Sequence, residues 1–467
     1  MMEPSSQLRL APGRRVHLIG IGGIGMSGIA RMLARAGLRV SGSDAQPSSA
    51  VEQLRAQGIA VEIGHGGARA AQADLVVYST AIAPGNAELL AARARGVPTM
   101  QRAHLLARLV NGRRLVAVTG AHGKTTTTAM TALLLADGGI NPLCLIGAEV
   151  EPLGGNARWG EGDWAVVEAD ESDGSFLFLQ PTHAVVTNID REHLDFYRNL
   201  GEIEEGVRRF VQSVPAEGAV FVCAEDQRLL HLTGDLAARR VTFGLTAEAD
   251  VHPERLEQAG WGTTFDCQYL GRRVGRAQLQ VPGLHNVSNA MAAIGVALQA
   301  GVAWPSIAAT LARYPGASRR FQRFPLPDGI TLIDDYAHHP TEVQATLAAL
   351  PTGVARRTIA VFQPHRYSRT KYLASEFGGC FTAADQVIIT DVYAASEAPL
   401  DGVSGRQVYE AVTQSGHPCA AYIERGRLVE HVLGLMQPGD VIFFLGAGDI
   451  GELCHTVAQR NARPHLV

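Results

Sequence analysis

Short apolar runs alternate with longer amphipathic segments along the whole chain of 467 residues. The runs VHLI (16–19), LVAV (115–118), WAVVE (164–168) and VIFFL (441–445) predict buried strands. Several of these runs are followed by a glycine-containing turn and then by a helical pattern of apolar residues. This alternation predicts an α/β fold with mostly parallel sheets.

The chain is too long for one ordinary domain, and its length predicts about three. The motifs change in character at two places and give three predicted domains. These are a Rossmann-like N-terminal domain at 1–111, a central phosphate-loop domain with a mostly parallel sheet at 112–320, and a C-terminal Rossmann-like α/β domain at 321–467. A basic stretch marked by proline and glycine, ARYPGASRRFQRF, is the predicted linker into the third domain.

Composition argues against several classes of function. The formal net charge is −4 and there is no basic stripe, so nucleic acid is not expected as the main partner. The six cysteines are scattered without a C-x-x-C pair, which predicts reduced thiols and no zinc site. The N-terminal segment lacks the apolar core of a signal peptide, and no run approaches the roughly 18 apolar residues of a membrane span. We therefore expect a cytoplasmic protein that does not insert into membranes.

The stretch LVAVTGAHGKTTTT is a predicted strand, loop and helix that together suit a phosphate group. The full phosphate-loop pattern has a further glycine at the position of Val118, so the match is to a shortened form, G-x-x-G-K-T. Lys124 is one of only two lysines, and a compact ammonium suits a phosphate. We expect Lys124 on the β- and γ-phosphates and the Thr125 hydroxyl on Mg²⁺. The alternative is an ordinary glycine-rich turn with a surface lysine.

The first domain carries the spacing G-x-G-x-x-G at Gly20, Gly22 and Gly25, after a predicted strand and before a predicted helix. A second strand ends near Asp44, about twenty positions on, as in dinucleotide-binding folds. The pattern suits NAD, FAD or any nucleotide diphosphate, and a domain that binds no nucleotide is the alternative. Four more polar residues lie near predicted strand ends: His65, Ser79, Thr80 and Arg102.

Two further motifs of the central domain carry candidate ligands. The acidic cluster EADESD begins with Glu168 at a strand end, where Mg²⁺ is usually held, although a solvated acidic loop is the alternative. The segment TNIDREHLD adds Asn188, Asp190, Glu192, His193 and Asp195, and the sequence leaves open which of them line the site.

The motif GLHNVSNA places His285, Asn286 and Asn289 at a helix start. There they either read an adenine edge or, for Asn286, cap the helix.

Polar residues of the third domain follow four predicted strands, at the carboxyl edge where ligands of open α/β sheets bind. The final G-x-G-x-x-G, in GAGDIG, is interpreted as a tight turn and not as a second dinucleotide site, because too few residues follow it for an acidic partner strand. The candidate side chains are Asp335, His338, His339, Arg366, Arg369, Tyr393 and Glu397.

Nine motifs in order resemble those of the Mur ligases of peptidoglycan synthesis: GIGGIGMSGIA, STAI, GAHGKTTTT, EADESD, TNIDREHLD, GLHNVSNA, DDYAHHPTE, FQPHRYSRT and GAGDIG. The resemblance covers nearly the whole chain. It implies an ATP- and Mg²⁺-dependent ligase that forms an amide through an acyl phosphate, in cell-wall biogenesis. The implied partners are UDP-N-acetylmuramate, whose lactyl carboxylate is activated, and L-alanine. We expect a monomer or weak dimer.

The resemblance also implies a role for each matching residue. The residues implied to bind the phosphates and the adenine side of ATP are Gly120, Ala121, His122, Gly123, Lys124, Thr125, Thr126, His285, Asn286 and Asn289. The metals fall to Thr125 and Glu168, with His193 near a second ion. The UDP-sugar falls to Gly22, Gly23, Gly25, Asp44, His65, Ser79, Thr80 and Arg102. Arg366 and Arg369 are implied for the reacting carboxylate or phosphate, and the incoming amino acid falls to His339, Tyr393 and Glu397.

Some members of the family place a carbamylated lysine beside the second metal, but no lysine occurs here between positions 125 and 370. Three other functions remain as alternatives: a Rossmann oxidoreductase, a phosphate-loop NTPase that acts as a switch, and a sister ligase that attaches a recycled tripeptide to the same sugar nucleotide.

Overall fold

The computed structural model of the protein describes residues 10–192, 196–395 and 397–461. No helix in these ranges has the length and apolar character needed to cross a membrane. The chain forms two compact units. One contains the chain up to His252 with Gln268–Val274 and Ser288–Thr310, and the other contains Pro253–Cys267, Gly275–Val287 and Leu311 onward.

The first sheet is wholly parallel, with the strand order β3-β2-β1-β4-β5. Helices connect successive strands, so the carboxyl ends of all five strands lie at one edge. This arrangement confirms the predicted Rossmann-like architecture. Its elements are β1 (Arg15–Ile19), α1 (Ile24–Arg35), β2 (Arg39–Asp44), α2 (Ser49–Ala56), β3 (Ala60–Ile63), β4 (Leu75–Tyr78), α3 (Ala87–Ala94), β5 (Thr99–Gln101) and α4 (Arg102–Val110).

The phosphate loop follows β6, a strand of the second sheet. The strands of this sheet that lie in the first compact unit have the order β12-β11-β10-β6-β9-β7-β8. All of these pairs are parallel except β7 with β8. Its elements are β6 (Arg114–Thr119), α5 (Lys124–Asp137), β7 (Leu143–Val150), β8 (Gly155–Arg158), β9 (Trp164–Glu168), β10 (His183–Val186), α6 (Leu200–Gln212), β11 (Ala219–Cys223), α7 (Gln227–Leu232), β12 (Arg239–Phe243), α8 (Leu284–Gln299) and α9 (Trp304–Leu311).

Three long strands between 251 and 279 were not anticipated from the sequence: β13 (Val251–Ala259), β14 (Gly262–Tyr269) and β15 (Arg272–Leu279). They are successive neighbours in the sheet, joined by tight turns at Gly260 (φ 60°) and Gly271 (φ 74°). Positive φ is easy for glycine, so these two residues were the available signal for the turns.

The third sheet has the order β16-β17-β21-β18-β19-β20 and is parallel except for β16. Apolar clusters cover both of its faces, as the strand runs predicted. Its elements are β16 (Gln322–Pro325), β17 (Thr331–Asp335), α10 (Pro340–Ala348), β18 (Arg357–Phe362), α11 (Tyr367–Leu373), β19 (Gln386–Ile389), α12 (Gly405–Gln414), β20 (Ala420–Tyr422), α13 (Arg425–Leu435), β21 (Asp440–Leu445) and α14 (Ile450–Asn461).

Helix α1 packs against β7 and β8, and the contact is made at Gly28 of the helix. A Cβ at Gly28 would collide with Leu145 Cδ1 and would lie 3.0 Å from Asn156 Nδ2. Arg31, one turn later on α1, is buried and donates to Glu149 Oε1 at 2.9 Å. The first sheet is therefore joined to the second by a close helix contact and a partly buried ion pair.

Substitution Gly28→Val is expected to destabilise the fold by about 1–3 kcal/mol, because the added methyl groups overfill this contact. The free energy of unfolding in urea is the measurement. Gly85→Val is the matched control, since a Cβ at Gly85 meets nothing within 4 Å. Equal stability of the two variants would mean that the contact is not closely packed.

Candidate active site

The phosphate loop is the turn between β6 and α5, and two glycines give it its shape. Gly120 has φ 125° and Gly123 has φ 83°, values that other residues resist. Each glycine also sits against a neighbour. A Cβ at Gly120 would collide with Thr187 Oγ1, and one at Gly123 would lie 2.6 Å from Asn289 Oδ1. Asn289 on α8 is thus brought to the loop.

The segment after β10 holds this loop from behind. Asn188 accepts from the backbone N–H of Ala121 through its carbonyl (3.2 Å) and from that of His122 through Oδ1 (2.8 Å). Thr187 Oγ1 donates to the carbonyl of His122 at 2.6 Å, and His122 Nε2 lies 2.9 Å from Asp190 Oδ2. The sequence left open which residues of TNIDREHLD reach the site, and the structure brings Asn188 and Asp190 to it.

Lys124 is largely buried, with 13% of its side chain exposed, and folds back over the loop. Its Nζ donates to the carbonyl of Gly120 and to Glu171 Oε1, both at 2.7 Å. Burial alone would lower the pKa of Lys124, but the carboxylates of Glu171, Asp170 and Glu168 together raise it above the usual range. Lys124 therefore remains protonated at neutral pH.

Glu171 lies in the motif EADESD, but the sequence did not single it out. Besides accepting from Lys124, it is buried and accepts from Thr119 Oγ1 at 3.2 Å. Together with Gly120, Asn188 and Asp190 it lines a pocket beside the loop. Glu171 therefore balances the lysine charge at the wall of this pocket.

The two residues predicted to bind magnesium, Thr125 and Glu168, are hydrogen-bonded to each other. Thr125 Oγ1 donates to Glu168 Oε1 at 3.0 Å, and Glu168 Oε2 accepts from the backbone N–H of Gly147 at 2.8 Å. A hydroxyl and a carboxylate are both oxygen donors of the kind that Mg²⁺ prefers. The donor set therefore fits this ion. His193, the third residue of the predicted metal set, lies outside the described residues.

The helix start predicted for adenine recognition is α8. His285 is exposed in its first turn. Asn286 is buried, and its Nδ2 donates to the carbonyl of Pro282 at 2.6 Å, which stabilises the entry to the helix. This contact is local to the helix entrance but is not an N-cap, in which a side-chain oxygen accepts from a backbone N–H.

The glycine turn of the first sheet is closed by Asp44. Asp44 Oδ2 accepts from the backbone N–H of Gly22 at 2.8 Å. A Cβ at Gly25 would lie 3.1 Å from an Arg102 guanidinium nitrogen, so Arg102 stands over the start of α1. Thr80 Oγ1 is 3.4 Å from Asp173 Oδ2, in the loop after β9. Gly23, the residue before α1, adopts extended backbone, and Ser79 follows the end of β4.

His65 belongs to a buried polar network that the sequence did not reveal. Its Nδ1 lies 3.0 Å from Glu88 Oε2, while His17 Nε2 lies 3.1 Å from Glu88 Oε1. Ser43 Oγ donates to the same carboxylate. Burial would raise the pKa of Glu88, but the hydrogen bonds from His17, Ser43 and His65 outweigh it and lower the pKa to about 2. Glu88 is therefore a carboxylate at physiological pH.

In the third sheet, Arg369 and Tyr393 meet at His365. Arg369 donates to His365 Nδ1 at 3.1 Å, and the rings of His365 and Tyr393 stack with centroids 5.7 Å apart. Burial and the nearby charges of His338, Arg369, Arg366 and Arg319 lower the pKa of His365 to about 3, so the ring is a neutral acceptor. The sequence carried His365 in the motif FQPHRYSRT but did not select it.

Three other predicted residues of this sheet shape helix entrances. Arg366 precedes α11 with φ 67°, and its backbone N–H donates to the carbonyl of Tyr393 at 2.8 Å. Glu397 accepts from Ser368, through the backbone N–H at 3.0 Å and the hydroxyl at 2.6 Å. His339 is the buried N-cap of α10, in a capping box with Glu342.

Asp335, at the end of β17, accepts from the backbone N–H groups of Phe321 (2.7 Å) and Ala337 (2.8 Å). Its burial raises its pKa to about 6 against the lowering effect of Arg320 and these hydrogen bonds. It therefore holds the strand end together.

Comparison with known proteins places these features in one family. Three family models match the chain: the Mur ligase family catalytic domain at residues 15–114, the Mur ligase middle domain at 118–297, and the Mur ligase glutamate ligase domain at 319–448. A UDP-N-acetylmuramate–L-alanine ligase of Geobacter sulfurreducens is 44% identical over 441 residues, with 94% of this chain and 96% of that protein covered. One of Pelotomaculum thermopropionicum is 46% identical over 439 residues, with 94% and 95% covered.

Among solved structures, the UDP-N-acetylmuramate–alanine ligase of Thermotoga maritima superposes with a TM-score of 0.82 at 29% identity. The superposition covers 96% of this chain and 99% of that one. It extends over all three sheets, in agreement with the predicted three-domain α/β fold. Because sequence and fold both match over nearly the whole length, this chain belongs to the Mur ligase family.

Proposed function

We propose that this protein joins L-alanine to the lactyl carboxylate of UDP-N-acetylmuramate in an ATP-dependent reaction of peptidoglycan precursor synthesis. The observation that carries the proposal is the phosphate loop, in which a charged lysine stands beside a hydroxyl–carboxylate pair. The two relatives above, which carry this activity in their names, each match 94% of the chain.

The chemistry explains why such a site is needed. A carboxylate is a poor electrophile until one of its oxygens becomes part of a leaving group. Attack of the lactyl carboxylate on the γ-phosphate of ATP forms an acyl phosphate and ADP, and the amine of L-alanine then displaces phosphate. Positioning and neutralisation of negative charge supply most of the catalysis in phosphoryl transfer.

Each side chain then has a proposed task in the central domain. Lys124 leaves Glu171 to neutralise the transferring phosphate, while the backbone amides of the loop Gly120–Gly123 that do not already donate to Asn188 bind the other phosphates. Thr125 and Glu168 hold Mg²⁺, which neutralises phosphate charge when bound. Asn289, with His285 and Asn286, is proposed for the adenine side.

The other two sheets are proposed to bind the substrates that are joined. Their edges carry the predicted residues beside glycine turns and strand ends, where ligands of α/β sheets bind. Gly22, Gly23, Gly25, Asp44, His65, Ser79, Thr80 and Arg102 are assigned to the UDP-sugar. Arg366 and Arg369 are assigned to the reacting carboxylate or phosphate, and His339, Tyr393 and Glu397 to the amino acid.

We also propose three domains, with boundaries at 111/112 and 320/321, and a cytoplasmic location with a monomeric or weakly dimeric state. All six cysteines are free thiols, as expected in a reducing compartment.

The direct test is phosphate release from ATP and Mg²⁺ in the presence of UDP-N-acetylmuramate, with L-alanine or the tripeptide L-Ala-γ-D-Glu-diaminopimelate in parallel. Release that requires both the sugar nucleotide and L-alanine is expected. Release only with the tripeptide would move the protein to the recycling ligases. Release without any acceptor would favour an NTPase.

Substitution Lys124→Ala is expected to lower kcat at least 1,000-fold, because an electrostatic group that neutralises transition-state charge contributes several kcal/mol. Binding of UDP-N-acetylmuramate, measured by calorimetry, should change less than about twofold. The chain supplies its own control in Lys371→Ala, which removes the only other lysine from an exposed position. An equal loss of turnover in both variants would contradict the assignment.

Substitution Thr125→Val removes the proposed metal hydroxyl while keeping its shape. The Mg²⁺ concentration for half-maximal rate is expected to rise about tenfold, corresponding to about 1.4 kcal/mol for one lost ligand interaction. Thr131→Val is the matched control, because that hydroxyl lies on the same helix and only donates to the carbonyl of Thr127. An unchanged Mg²⁺ requirement in Thr125→Val would remove Thr125 from the metal site.

A further inference from the structure

The network around Glu88 determines which ring nitrogen of His65 carries hydrogen. An ionised carboxylate only accepts hydrogen bonds, so every nitrogen or hydroxyl facing it must donate. His17 Nε2 therefore carries a hydrogen toward Oε1, and Ser43 donates its hydroxyl hydrogen to Oε2. His65 Nδ1, 3.0 Å from Oε2, must carry a hydrogen as well.

The second nitrogen of each histidine completes the pattern. His17 Nδ1 lies 3.0 Å from Ser41 Oγ, which has a hydroxyl hydrogen to donate. With Nδ1 protonated, a neutral His65 has a lone pair on Nε2. Within the described residues only Nδ1 of His65 is hydrogen-bonded, and 26% of the side chain is exposed. The acceptor that remains is therefore Nε2, on a side chain that is partly exposed.

His65 also stands at the edge proposed for the sugar nucleotide. It follows β3 by two residues, and the backbone N–H of Gly64 donates to the carbonyl of Asp44 at 2.8 Å. The carboxylate of Asp44 in turn accepts from Gly22 in the glycine turn. A nucleotide bound at this turn would therefore lie near His65, whose Nε2 is the ring nitrogen that Glu88 does not engage.

We propose that Glu88, supported by His17 and Ser43, is a positioning residue that keeps the hydrogen of His65 on Nδ1 and so presents Nε2 as an acceptor to the uridine moiety of the sugar nucleotide. Uridine offers two kinds of donor, the imide N3–H of uracil and the ribose hydroxyls. A base without an imide hydrogen, such as cytosine, would place a lone pair against Nε2. The inference rests on the proposed function, which puts a UDP-sugar at this edge.

The first measurement does not depend on enzyme activity. Nitrogen-15 NMR of the full chain labelled at histidine distinguishes the two neutral ring forms, and comparison with the spectrum of His65→Ala identifies the His65 signals. The spectrum is expected to report hydrogen on Nδ1, and addition of UDP should shift the Nε2 signal. Hydrogen on Nε2, or an Nε2 signal that UDP leaves unchanged, would overturn the inference.

The second measurement determines which donor of uridine, the uracil N3–H or a ribose hydroxyl, bonds to His65 Nε2. KM is compared for UDP-N-acetylmuramate, its N3-methyluridine analogue and its 2′-deoxyuridine analogue. The analogue that lacks the recognised hydrogen should show a KM about 3- to 10-fold higher in the wild type, as expected for one hydrogen bond, with kcat within about twofold. In His65→Ala both analogues should behave like the natural substrate. Discrimination that survives in His65→Ala would contradict the inference.

Substitution Glu88→Gln tests the positioning role, because an amide presents N–H₂ where the carboxylate accepted. We expect KM for the natural substrate to rise about 3- to 10-fold, discrimination between the analogues to weaken, and the His65 nitrogen signals to move toward the other ring form. Glu52→Gln, the same change at an exposed position of helix α2, is the control. Wild-type KM and signals in Glu88→Gln would overturn the role of Glu88. A wild-type protein without ligase activity would instead overturn the proposed function.

Discussion

The close approach of two backbone segments shapes the central site: the phosphate loop after β6 and the segment after β10. Gly120 and Gly123 adopt positive φ, and no side chain fits at either position. Thr187 and Asn188 then bond the loop from behind. The loop backbone is therefore held in place, with the amides of Ala121 and His122 donating to Asn188. A loop fixed in this way needs little further ordering to bind an anion.

Polar side chains around the loop are bonded to one another. Lys124 pairs with Glu171, and the Thr125 hydroxyl donates to Glu168. Removing either member of the Lys124–Glu171 pair would leave a buried charge without its partner, at a cost of about 3–5 kcal/mol. Glu171, with Asp170 and Glu168, keeps Lys124 protonated at neutral pH.

The same arrangement recurs in all three sheets, because parallel strands linked by helices bring their carboxyl ends to one edge. In the first sheet that edge carries Asp44 and the glycine turn. In the third it carries the His365–Tyr393 stack, with Arg369 donating to the histidine. The residues that follow the strands therefore carry the motifs typical of the family. The strands themselves are buried apolar runs of the kind that any α/β protein has.

Local sequence alone determined the buried apolar strands, the glycine turns and the residues that follow them, but not the three strands β13, β14 and β15. Hydrophobic period and glycine conformation act over a few residues, so the loop at 120–123 and the acidic cluster after β9 were readable without a structure. Partner choice was decided only by tertiary structure. Glu88 is hydrogen-bonded to His17, which lies 71 positions away in the chain, and the sequence near either residue does not predict this contact. Likewise, which carboxylate of EADESD pairs with Lys124 depends on how β9 lies beside β6. Hydrogen bonds are made between atoms about 3 Å apart, and only the folded chain brings such distant residues that close.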